Sequence, residues 1–201
     1  MRTPAFFDRA PVIVMYDALA QTLGAVQDGV IVYRYLDAVK LAGHSCPTVA
    51  CAWLMTRAAL ARLYPGETPH RGAVQVALHD AQEAGVTGVI ASIASLVTGA
   101  AGSGGFKGLG GSHGRRDLLA FGVPMHAELR FTRLDNGHHV EVAHHPEVAP
   151  RPAQLRTLMQ AALGPGAGES QRQAFGETWQ AWVRTMLIEH ADDPAMITVQ
   201  G

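Results

Sequence analysis

The hexapeptide Gly43-His44-Ser45-Cys46-Pro47-Thr48 gathers more reactive groups than any other short stretch of the chain. Proline is well placed in the first turn of a helix, because the N–H it lacks has no partner there. Pro47 therefore marks a helix start, with Cys46 at its threshold. A sulfur in that position faces unpaired N–H groups and the positive end of the helix macrodipole, which favour an anion. His44, two residues earlier, reaches the same point from an irregular turn. Thiolate and imidazole together suit zinc, and also iron or copper. Two other uses of the pair stay open. Cys-Pro occurs as a haem-thiolate motif, in which proline turns the chain away from the iron, and Cys46 can serve as a metal-free nucleophile paired with His44. Cys51 is not expected to join, since at ~100° per residue it points roughly 140° away from Cys46 around the helix. Their Cα atoms would lie roughly 8–9 Å apart, beyond disulfide reach.

Further ligands must come from other elements. His79, Asp80 and Glu83 follow a predicted strand, where binding loops gather, and His113 ends a glycine-rich loop. The proposed metal set is His44, Cys46, His79 and Asp80. His138, His139, His144 and His145 flank a predicted hairpin. The loop over 99–114 holds eight glycines in sixteen positions. It matches neither the Gly-Lys-Ser/Thr phosphate loop nor the G-x-G-x-x-G dinucleotide fingerprint. What remains is a general capacity to cradle a small anion on backbone N–H groups, so Gly105, Lys107 and Gly108 are the expected cofactor-binding residues, with Arg115 and Arg116 nearby.

The elements that position these residues follow from periodicity. Strands are predicted over 29–33, 73–80, 118–121, 125–133 and 139–144, the last two joined by a turn at Asp135-Asn136-Gly137. Helical patterns cover 16–23, 37–41, 47–64 and 86–98. In the long third helix Val49, Trp53, Thr56, Leu60 and Leu63 form one stripe. After Pro150 the pattern is helical, over 153–163 and 171–190. Phe175, Trp179, Trp182, Met186 and Leu187 recur there at helical spacing, which predicts core packing or a dimer contact. The expected architecture is α+β: a mixed sheet with flanking helices over residues 1–149 and a helical C-terminal extension over 150–201.

Composition bounds the function. Apolar residues make up 48% and charged residues 16%, which excludes a disordered chain. Sixteen Lys and Arg against seventeen Asp and Glu leave a net charge of −1, so no nucleic-acid partner is expected. The apolar runs fall short of the ~20 residues of a membrane span. An acid and a proline interrupt the first residues where a secretory signal would need an apolar stretch. With two cysteines, a cytoplasmic protein with free thiols is the expectation.

At the hexapeptide the chain resembles the FmdE-like family, named for a component of formylmethanofuran dehydrogenase, whose signature runs histidine-glycine-histidine-x-cysteine-proline-glycine into a helix. The matching residues are Ala42-Gly43-His44-Ser45-Cys46-Pro47-Thr48. The likeness extends over roughly 30–145, through Val74–Asp80, Gly85-Val-Thr-Gly-Val-Ile90, Gly105-Phe-Lys-Gly108 and Leu118-Leu-Ala-Phe-Gly122. Ala42 replaces the first histidine and Thr48 the glycine, and the cysteine-rich zinc ribbon of some members is absent. The resemblance implies a fold like the catalytic domain of glyceraldehyde-3-phosphate dehydrogenases. It further implies a metal, usually zinc, held near His44 and Cys46, with a small-molecule or metal ligand as partner and a homodimer as the assembly.

Overall fold

A computed structural model describes residues 2–201. The chain begins with a two-stranded antiparallel ribbon, β1 (Ile13–Tyr16) and β2 (Val30–Tyr33), joined across the short helix α1 (Ala18–Thr22). Helices α2 (Tyr35–Ala42) and α3 (Pro47–Leu63) follow, then β3 (Val74–Leu78) and α4 (Thr87–Thr98). After the glycine-rich loop come β4 (Leu119–Ala120), β5 (Leu129–Arg133) and β6 (His139–His144). The remaining chain forms α5 (Leu155–Leu163), α6 (Glu169–Arg184) and β7 (Ile197–Gln200).

Period-two alternation builds one sheet in the order β4-β3-β5-β6-β7, parallel between β3 and β4 and antiparallel elsewhere. Its register aligns Val76 with Phe131 and Val140, and Leu78 with Leu129 and Val142, in two fully buried rows. The opposite face is polar, and there the cross-strand partners Arg130 and Glu141 form an ion pair at 2.5 Å. One buried and one wetted face is the usual economy of antiparallel strands.

Helix α3 covers the apolar face. The predicted stripe is buried, but Ala50, Cys51, Ala52, Leu54, Met55 and Ala59 are buried with it, so one stripe is too narrow a description. The reason is packing on all sides: α3 touches β6 and β7 beneath, α2 and α4 beside it, and a π-helical turn at Thr185–Glu189 that prolongs α6. A helix apolar all round is a buried helix.

The α+β class and the mixed sheet agree with the sequence. Several details do not. The strand predicted over 125–133 begins only at Leu129, and the ribbon strand β1 has no predicted counterpart. A wholly helical extension is corrected too: β7 pairs with β6 and completes the sheet, while Leu155, Val183, Met186, Leu187 and Met196 are fully buried. The last four of these join the same core as α3, where Met186 and Leu187 find the burial their spacing demands. Among the described residues, no helix is long and apolar enough to cross a membrane.

Candidate functional site

The corner between α2 and α3 is built by two residues with opposite backbone habits. Gly43 ends α2 in the left-handed region at φ 76°, donating its N–H to the Val39 carbonyl. Glycine takes that conformation without steric cost. Pro47 then starts α3, and between them His44, Ser45 and Cys46 cross from one helix to the next. Cys46 is the N-cap, its sulfur accepting from the Val49 N–H at 3.5 Å.

The three side chains of this crossing divide the work. Ser45 turns inward and shares a hydrogen bond with the buried Tyr35 hydroxyl at 3.0 Å. Its carbonyl accepts from Trp179 Nε1 at 2.9 Å and from Gln180 Nε2 at 3.2 Å. His44 and Cys46 both line a groove of about 510 Å³, shared with Pro47, Thr48, Arg151, Met159, Trp179 and Trp182. His44 Nδ1 lies 2.9 Å from the Ala42 carbonyl. A carbonyl only accepts, so Nδ1 is the donor in this contact, and in the neutral form of the ring Nε2 is the nitrogen left with a lone pair. That division of the imidazole is the one seen in metal-ligating histidines.

His79 and Asp80 lie elsewhere. They bond to each other, Nδ1 to Oδ1 at 2.7 Å, and open a separate cavity of about 190 Å³ lined also by Thr87, Ile90, His126 and Glu128. No group of three or more His, Cys, Asp or Glu among the described residues is placed to hold a metal. The four-residue set His44, Cys46, His79 and Asp80 is therefore not brought together within the chain; the two residues after β3 follow the strand to its own end. Of the hairpin histidines, His144 is bonded through Nδ1 to Glu128 at 2.6 Å, and His145 Nε2 to the Thr198 hydroxyl at 3.1 Å. Burial pushes the Glu128 carboxyl up, but the bonds and charge of His144 outweigh it and hold it below its ordinary range.

The glycine loop is folded on itself. Gly105 donates to Gly102, Arg115 to Phe106, and Leu109 and Ser112 bond to each other. A Cβ at Gly105 would stand 2.7 Å from the Ala101 methyl and 2.8 Å from the Arg116 backbone; one at Gly108, where φ is 99°, would stand 2.5 Å from the Ser112 carbonyl. Close backbone packing thus accounts for these two glycines. Gly105, Lys107 and Gly108 do not line the groove of His44 and Cys46, and Lys107 is exposed. Arg115, expected beside Lys107 as a loop cation, is instead buried against Asp17, Nη2 to Oδ1 at 2.7 Å.

Cys51 sits in the core, in keeping with its angle around the helix. Burial pushes its thiol up to about 12, with the Glu128 charge adding to the effect. Iodoacetamide near neutral pH is expected to leave Cys51 unlabelled in the folded protein and to modify it after denaturation. Peptide mass spectrometry reads the difference, and equal labelling in both states would refute the buried placement.

Sequence reasoning missed the far wall of the groove. Helical spacing predicts that Trp179 and Trp182 pack, and their half-buried rings meet at 5.9 Å between centroids and 87° between planes. That spacing marks the side of α6 that turns inward, but not which element across the chain it meets. No family model and no curated protein matches the chain.

Proposed function

We propose that this chain is a metal-binding protein of the FmdE-like kind, taking zinc or a related transition metal on Cys46 sulfur and His44 Nε2. The observation that supports this is the shared groove, together with an imidazole whose Nδ1 is already spent on Ala42. A thiolate and an imidazole are a suitable donor pair for zinc. Two protein donors are fewer than the four of a closed structural site, so the remaining positions fall to water or to an organic ligand in the groove. Bound there, the metal would act as a Lewis acid on that ligand or lower the pKa of a bound water. The chain's own part is to hold the two donors on a corner fixed by Gly43, Pro47 and the Ser45 carbonyl.

Cobalt titration of metal-free protein tests the reading. Wild type is expected to bind one equivalent with a sulfur-to-cobalt charge-transfer absorption. Cys46→Ser should abolish the band and His44→Ala should weaken binding by about tenfold or more, while Cys51→Ala, His79→Ala and Asp80→Asn leave both intact. A wild type with no charge-transfer band overturns the proposal.

The groove also supports haem as the second reading, because Cys46 shares its lining with two indoles, Met159 and Arg151. A Soret band on haem addition that moves in Cys46→Ala supports it, and a flat visible spectrum removes it. A metal-free thiol enzyme has less support, since His44 is oriented by a carbonyl and by no carboxylate.

A further inference from the structure

The walls of the groove point to the class of its organic occupant: we infer that it takes a planar aromatic carboxylate, its ring against Trp179 and Trp182 and its acid on Arg151. The inference deepens the metal reading, since the ligand fills the groove that His44 and Cys46 face, yet it needs no metal to be tested.

Three features carry it. First, both indole N–H groups are already used, Trp179 on the Ser45 carbonyl at 2.9 Å and Trp182 on the Ala149 carbonyl at 2.6 Å. The rings are anchored by backbone on two different segments and offer the groove carbon surface, with no free donor. Their near-perpendicular planes form a corner in which one flat ring stacks on one indole and meets the other edge-on, both favoured aromatic geometries. A saturated or strongly hydrated ligand would waste that corner.

Second, the charge of the lining has one sign. Arg151 is the fixed charge among the lining residues, no carboxylate joins it there, and it forms no ion pair with any described residue. A guanidinium offers parallel N–H donors matched to a carboxylate, and Thr48 is a further polar residue of the same lining. Third, about 510 Å³ falls within the range of sites that enclose a small organic molecule.

The test uses the full chain stripped of metal, with 2-naphthoate as probe and tryptophan fluorescence as readout. Trp53 is fully buried with its N–H on the Pro11 carbonyl and supplies a constant background. Saturable quenching is expected, weakened by about tenfold or more in Arg151→Ala and for the neutral 2-naphthamide, as loss of a charged hydrogen-bonded pair implies. Arg151 is exposed, so its replacement leaves the fold in place, and a far-ultraviolet spectrum verifies this. Equal binding of acid and amide, equal binding by Arg151→Ala, or absence of quenching by wild type would overturn the inference. The two proposals separate cleanly: protein that binds naphthoate but no cobalt sinks the metal reading alone, and protein that binds cobalt but does not distinguish acid from amide sinks this one alone.

Discussion

Truncation after Pro150 is expected to yield a chain with no cooperative thermal transition. The lost segment carries Leu155, Val183, Met186, Leu187, Met196 and Ile197, all buried. At about 1.5–3 kcal/mol for each large side chain removed from the core, the sum rivals the whole stability of an ordinary domain, about 5–15 kcal/mol. Losing β7 also bares the β6 edge, and the α3 contacts from Arg57 to the Ala191 carbonyl and from Arg62 to Gly201 disappear. Circular dichroism of the 1–150 chain on heating checks this; a sharp transition near that of the full chain would show residues 1–150 to fold alone.

Replacing Asp17 by Asn is expected to cost about 3–5 kcal/mol, the range for removing one partner from a buried charge cluster. Asp17 accepts from Arg71 at 3.0 Å and from Arg115 at 2.7 Å, and also caps α1 through the Leu19 and Ala20 amides. Its side chain is 4% exposed and that of Arg115 8%. Gly72 makes room for Arg115, since a Cβ there would fall 1.2 Å from its guanidinium. Without the aspartate, two largely buried cations face each other unneutralised. The pH dependence has a definite sign. Burial pushes the Asp17 carboxyl up, but the Ala20 amide and the two arginines outweigh it and hold the carboxyl below its ordinary 3.8. A lowered folded value means the contribution is complete above 3.8 and is lost as acid carries the group through its folded value. Urea unfolding of wild type and Asp17→Asn should therefore differ most at neutral pH and converge in strong acid. A difference below about 1 kcal/mol at neutral pH, on the order of a surface pair, would contradict the buried cluster.

The sequence exposed what is local. Gly43 marks a helix end and Pro47 a helix start, so the crossing between them that carries His44 and Cys46 follows from backbone preference. The strands of the central sheet alternate cleanly from Val74 to Leu78 and from Leu129 to Arg133 because one face is buried and the other wet. What stayed hidden is long-range. Ser45 and Trp179 are 134 residues apart, and Asp17 and Arg115 are 98 apart, so neither pairing leaves a mark in any window of sequence. Arg115 reads as a loop cation until its partner is known. His79 and Asp80 share a residue class with the His44–Cys46 pair but sit on a strand end that opens a different cavity. The four residues of β7 are too short a run to announce a strand after a long helix.

The bonds from Trp179 and Gln180 to Ser45 join two walls of the groove that belong to distant parts of the chain. Residues 43–48 supply one side, and the aromatic wall that faces them comes from a helix some 130 residues further along. The pocket that Cys46 lines is thus a product of the tertiary fold, and any change that loosens α6 from the α2–α3 corner opens it from the side of the indoles.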